Sequence, residues 1–200
     1  VPNGVDLEFF KTRKRRTSKG TILFVSNFKW LQNVEAAETL IKEIFTKVKN
    51  IISEVKLRIV GQHTPQKITD FRNSEVTIEN LKEDDVETIR KAYHEADVFV
   101  SPMKGPGGTR LKNLAAMASG LPIVTTTIGA EGIGVKDNIH VLVRDETESM
   151  VKAIIKLLTN RHMAKRLAKK ALSLAESEYS WDRMAEMLDR VYREAVYGKN

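Results

Sequence analysis

Short apolar runs alternate with longer stretches in which apolar residues recur every three or four positions. Short stretches rich in apolar and β-branched residues at 22–25, 55–60, 76–78, 98–100, 123–126 and 141–143 predict six strands. The first follows Gly20, the second ends at Gly61 and the fourth is stopped by Pro102. Between the first two, Ala36, Ala37, Leu40, Ile41, Ile44, Phe45 and Val48 share one helical face, and Asn33 precedes that pattern. Residues 84–95 predict a helix with Val86, Ile89 and Tyr93 on one side. Residues 110–119 predict another, closed by Gly120 and Pro122. From Glu146 onward the pattern is only helical, in three pieces that break near Asn160 and Tyr179.

Alternating strands and helices make βαβ units. The expected fold is therefore α/β: a Rossmann-like parallel sheet of about six strands, helices on both faces and a helical C-terminus. The strands are apolar on both sides, as a sheet sandwiched between helix layers requires. A length of 200 residues fits one ordinary domain. We divide it into a hinge segment and basic loop at 1–20, a Rossmann-like body at 21–178 and a C-terminal helix at 179–200. Ligands of such folds bind beyond the carboxyl ends of the strands. Function should lie in the loops after Val25, Val60, Ile78, Val100 and Thr126.

Composition narrows the chemistry. Hydrophobic residues are 42% and charged residues 30%, which is globular rather than disordered. There is no cysteine, which excludes a disulfide framework, a thiolate metal site and a Cys nucleophile and fits a reducing compartment. No apolar run approaches the roughly 18 residues of a membrane span. The chain starts at Val1 rather than Met, which suggests a piece of a longer polypeptide. Net charge is +7, concentrated in Lys11, Arg13, Lys14, Arg15, Arg16 and Lys19 and in Arg161, Lys165, Arg166, Lys169 and Lys170. Solvated surfaces explain both clusters; RNA or an anionic lipid is the other reading. Single-stranded nucleic-acid binding needs aromatics beside the charge, and after Phe9 and Phe10 none follows until Phe24 in a core run, so nucleic acid is not expected as a partner. The four histidines have no ligand spacing, and no metal site is expected. Trp30 and Trp181 read as packing residues.

The loop after the fourth strand carries the most chemistry. Residues 105–120 read GPGGTRLKNLAAMASG. Gly105, Gly107 and Gly108 relax the backbone, Thr109 suits a helix N-cap, and Leu111, Leu114, Ala115 and Ala118 form an apolar helix face. A glycine loop feeding a helix offers free amides and a positive dipole end to an anion. Arg110 and Lys112 in the first turn oppose that dipole unless a phosphate joins them. No Gly-Lys-Ser/Thr follows, so this is not a Walker loop, and the loop after the first strand has no glycine for a dinucleotide fingerprint.

These residues resemble a family. Residues 107–124, GGTRLKNLAAMASGLPIV, are similar to the donor-binding helix of family 4 retaining glycosyltransferases. VPNGVD at 1–6 resembles the hinge that opens their C-terminal domain, VSNFKWLQN at 25–33 the first strand and loop of one branch, and YHEADVFVSP at 93–102 the approach to the donor loop. TTIGAEGI at 126–133 and Ser180-Trp181 also fit. The resemblance implies one half of a two-domain GT-B enzyme. That half binds a nucleotide-diphosphate sugar as substrate, with no cofactor and no essential metal, and an N-terminal domain of the same polypeptide binds the acceptor. Retention of configuration, and inactivity of this half alone, are further implications. Diphosphate contacts carry over to Gly107, Gly108, Thr109, Ser26 and Asn27. The catalytic cations are Arg110 and Lys112, which would stabilise the departing diphosphate. Asn80 and Leu81 fall where the family reads the base. A cytoplasmic location follows, with peripheral membrane contact if the acceptor is a lipid.

Two departures matter. The family's paired glutamates fall at Gly107 and Ala115 here, so the ribose position, Ala115, has no carboxylate. Glu131 is the one acidic residue of the loop after the fifth strand and is assigned to sugar hydroxyls instead. The Gly-Arg many members carry after the first strand is Ser26-Asn27, which shifts phosphate binding onto Arg110 and Lys112. Ala115 keeps open a non-catalytic or degenerate nucleotide- or phosphosugar-binding module. A sugar-nucleotide epimerase or a phosphorylase of the same architecture fits the GGTRLK stretch less well.

Overall fold

A computed structural model describes residues 1–11, 20–83, 85–105 and 110–198. The strands are β1 (Thr21–Asn27), β2 (Lys56–Gln62), β3 (Val76–Asn80), β4 (Val98–Ser101), β5 (Ile123–Thr125) and β6 (Leu142–Val143). All pair in parallel, in the order β3-β2-β1-β4-β5-β6. The predicted Rossmann-like sheet is thus present. Its order reverses between β1 and β4, which opens a crevice there at the carboxyl ends.

The helices are α1 (Leu7–Phe10), α2 (Leu31–Thr39), α3 (Thr46–Ile51), α4 (Gln66–Thr69), α5 (Val86–Glu95), α6 (Leu111–Ala118), α7 (Thr127–Ala130), α8 (Thr147–Thr159), α9 (Arg161–Glu178) and α10 (Trp181–Tyr197). A π-helical stretch, Leu40–Phe45, joins α2 to α3 without a break. The breaks at Asn160 and Tyr179 fall where the periodicity placed them. Asn160 accepts from the Met163 amide and Ser180 from the Arg183 amide, so each break is also a cap.

Successive β1 side chains serve two cores. Ile22 and Phe24 join α2, the π stretch and α8 in one; Leu23 and Val25 join α5, α6 and α9 in the other. Asp97 fastens the start of the central pair by accepting from the Gly20 and Thr21 amides at 2.9 and 2.8 Å. Residues 1–6 fold back onto the body: Val5 is buried and its amide donates to the Tyr179 carbonyl at 2.7 Å.

Some positions differ from the sequence expectation. Helix α2 begins two residues before Asn33, which lies buried in its first turn. Helix α6 begins at Leu111, with Arg110 rather than Thr109 at the cap position. Val86 and Leu111, expected on buried faces, each open a helix and are half exposed, Leu111 facing the crevice at the strand ends. Trp30 and Trp181 are 60% and 57% exposed; Trp30 is not a core residue, and Trp181 packs by one face of its indole, against Gly4.

Gly61, near the end of β2, is required by close approach to β1. A Cβ there would stand 1.8 Å from the Ser26 carbonyl oxygen. Gly61→Ala is therefore expected to cost at least about 2 kcal/mol through forced strand displacement, read as a fall in Tm of roughly 5 °C or more. An unchanged Tm would show that the strand ends shift freely.

Candidate functional site

The crevice is an open cavity of about 870 Å³ at the carboxyl ends of the central strands. Its walls come from the segment after β1, the end of β2, the first turn of α6, residues 3–6 and Trp181. Most of its surface is apolar; Phe10, Val25, Ile89, Tyr93, Leu111 and Ala115 contribute to it. Two cations stand at this boundary, Arg110 and Lys112.

Lys112 projects from α6 across the strand ends to the opposite helix layer. Its ammonium donates to the Ser26 hydroxyl at 2.7 Å and to Asn33 Oδ1 at 2.7 Å. It also contacts Met103 Sδ at 3.7 Å and lies 5.1 Å from the centre of the Phe24 ring. Among the described residues, no carboxylate lies within ion-pair distance of it. Burial, and then the Arg110 charge, lower its pKa to about 7.

Arg110 is 5% exposed. Its Nε donates to the Ile128 carbonyl at 2.8 Å, and its Nη2 lies 3.8 Å from a Glu131 carboxylate oxygen. Asn113, one turn on, donates to the Gly129 carbonyl at 2.6 Å. The short α7 is thereby fastened to α6 at its carbonyl end, where cations and N–H donors are favoured. Thr126 caps the other end of α7, accepting from the Gly129 amide while its hydroxyl donates to the Met103 carbonyl at 2.6 Å. Tyr93 is fully buried, burial raises its phenol pKa, and its hydroxyl donates to the Lys112 carbonyl at 3.1 Å.

The structure brings together Ser26, Asn27, Arg110, Lys112 and Ala115, all of which line the cavity. Ser26 is buried and faces the ammonium. Asn27 is exposed, and its side chain caps the turn by accepting from the Lys29 amide. Gly107, Gly108 and Thr109 lie outside the described residues, as do Arg13 to Lys19 of the first basic cluster. Glu131 is exposed beside Arg110 and does not line the cavity. Asn80 and Leu81 stand apart from it as well: Asn80 Oδ1 accepts from the Thr64 amide, and the Leu81 amide donates to the Gly61 carbonyl. Gly61 and Gln62 occupy the cavity wall on that side instead. Asn33, Trp30 and Trp181 line the cavity although sequence reasoning gave none of them a site role. The exposed tryptophans had no signal, since an indole suits a core and a rim equally. Asn33 carried one, a polar residue inside an apolar-periodic helix start.

A doubly wound parallel sheet with a crevice at its switch point defines a Rossmann-like domain. The chain belongs to the Glycosyl transferases group 1 family, whose model matches residues 19–160, and its fold is that of a GT-B C-terminal domain. An uncharacterized 44.6 kDa protein of the cps region of Klebsiella pneumoniae is 24% identical over 177 residues, 85% of this chain and 45% of that protein. Phosphatidyl-myo-inositol mannosyltransferase of Mycobacterium leprae is 24% identical over 200 residues, 96% of this chain and 52% of that enzyme. The chain thus spans about half the length of these curated relatives. Among solved structures, the C-terminal domain of the group 1 protein LpcC from Francisella tularensis superposes with a TM-score of 0.67 at 18% identity, covering 89% of this chain and 100% of that one. Anabaena HepE, solved with UDP and glucose, superposes with a TM-score of 0.70 at 15% identity, covering 94% and 55%. No helix among the described residues is long and apolar enough to cross a membrane.

The Lys112 pKa has a thermodynamic consequence. An unfolded lysine titrates near 10.5 and the folded one near 7, so between these values the unfolded chain binds more protons. Stability from this group therefore rises with pH across that window and is lowest below about pH 7. Relative to Lys112→Met, the wild type should gain up to about 1.4 kcal/mol per pH unit there. Parallel curves for the two proteins from pH 6 to 10 would mean that Lys112 titrates normally.

Proposed function

We propose that this chain is the donor-binding half of a retaining glycosyltransferase, which moves a sugar from a nucleotide-diphosphate sugar to an acceptor without a metal. One observation carries the reading: a lysine taken out of water at the cavity wall, held by neutral acceptors, with a buried arginine two residues away. Burying an ammonium without a carboxylate partner is costly. An incoming diphosphate offsets that cost by supplying the missing anion. Arg110 and Lys112 act on the leaving diphosphate, where negative charge grows as the sugar departs. The amides of Gly107, Gly108 and Thr109 add donors there, and Ser26 and Asn27 shape the wall behind the phosphates.

The apolar part of the cavity takes the nucleoside. The base edge falls on the wall of Gly61 and Gln62, with the Leu81 amide bonded to the Gly61 carbonyl behind it, while Glu131 stays beside Arg110 outside the cavity and reaches only a sugar that extends past its rim. The complex of Anabaena HepE with UDP and glucose supports a nucleotide and a sugar as the ligand class. The acceptor belongs to an N-terminal domain of the same polypeptide, and this half alone transfers no sugar. A lipid acceptor, of the kind named for the mannosyltransferase of M. leprae, would bring peripheral contact with the inner face of a membrane.

Ala115 favours a second reading, a nucleotide- or phosphosugar-binding module without transfer. It lines the cavity where the family resemblance places the ribose-binding glutamate. Sugar transfer by the full-length protein, with and without Ala115→Glu, separates these readings, and calorimetry with UDP, GDP and ADP tests the site they share. One of the three should bind, and Arg110→Ala and Lys112→Met should each weaken it about tenfold or more. Ala115→Glu should tighten it by a similar factor if the ribose is the group left unheld. No binding by any of the three nucleotides would contradict both readings.

A further inference from the structure

Asn33 stands at the centre of a polar relay that joins the loop after β1 to the lysine of α6. The residue is 7% exposed. The amide nitrogen Nδ2 donates to the Asn27 carbonyl at 2.6 Å, and the amide oxygen accepts from Lys112 at 2.7 Å. A carbonyl can only accept and an ammonium can only donate, so the Asn33 amide is locked in one orientation. Flipping it would set oxygen against oxygen and nitrogen against nitrogen.

We propose that Asn33 is a positioning residue: its locked amide oxygen aims the Lys112 ammonium at the bound diphosphate without neutralising it. This rests on the diphosphate reading of the cavity. The choice of amide over carboxylate is the physical point. An aspartate would pair with Lys112 and consume the charge that the phosphate needs. Ser26, the second acceptor, is neutral as well. Among the described residues, Arg110 is the charged group whose field reaches the ammonium, and it is also positive. Every contact that orients Lys112 therefore leaves its charge available. The side chain reaches Asn33 across the strand ends, so the contact joins α2 and α6 at the cavity.

Two substitutions separate aiming from simple anchoring. Asn33→Ala removes the acceptor and should lower the Lys112 pKa. Asn33→Asp supplies a carboxylate and should raise it. Both should weaken inorganic pyrophosphate about tenfold at pH 6. The Lys112 pKa is read from its Cε and Nζ NMR shifts, assigned with Lys112→Met, and pyrophosphate binding by calorimetry. Opposite movements of the pKa with a shared loss of affinity support the proposal. A merely structural Asn33 would lower Tm in both variants yet leave the Lys112 titration and the pH profile of binding unchanged, which overturns it. If Asn33→Ala fails to fold, Asn33→Ser, too short to reach Lys112 and without a carboxylate, takes its place: a lowered pKa with weakened pyrophosphate supports, and either quantity unchanged overturns. If the wild type binds no pyrophosphate while the pKa still moves, the diphosphate reading fails and the Lys112–Asn33 contact stands without that ligand.

Discussion

A single ammonium ties the two helix layers together at the carboxyl ends of the sheet. Lys112 starts from α6, which packs on one face, and ends on Asn33 of α2, which packs on the other. On the way it meets Ser26, at the end of β1. The contact crosses the place where strand order reverses and forms part of the crevice wall. It also sets the electrostatics, because the charge is desolvated and met only by neutral acceptors. Its lowered pKa is the measure of that unresolved cost.

The surrounding structure holds this arrangement still. Tyr93 grips the Lys112 carbonyl from the buried side and stacks on Phe99 at 5.5 Å. Gly61 lets β2 approach the Ser26 backbone. Arg110 and Asn113 fasten α7, while Thr126 links α7 to the chain just past β4. These contacts come from residues far apart in sequence. A site built on strand ends and helix starts is held more rigidly than one carried by loops. For the proposed transfer, that rigidity means the donors are already aimed at the charge that develops on the leaving group.

Much of the architecture was legible because the apolar periods change cleanly along the chain. A run such as Val98–Phe99–Val100 has room only in a sheet covered on both faces, and the loss of period near Asn160 and Tyr179 marks where the C-terminal helices part. Arg110 and Lys112 were legible from the charge they set against a helix dipole. Asn33 was not, because its role depends on a partner 79 positions away in sequence. Trp30 differs from its expected burial for a related reason: hydrophobicity favours burial but does not specify it. Asn80 is the reverse case. Its position after β3 is right for a ligand loop, yet its side chain turns to the Thr64 amide.

The central claim is that Lys112 and Arg110 together receive the diphosphate of the donor. A crystal structure of this chain with a bound nucleoside diphosphate tests it most directly. The account predicts β-phosphate oxygens about 2.7–2.9 Å from Lys112 Nζ and within hydrogen-bond reach of the Arg110 guanidinium, with the Asn33 contact retained. A diphosphate seated elsewhere on the surface, with Lys112 still joined only to Ser26 and Asn33, would contradict it.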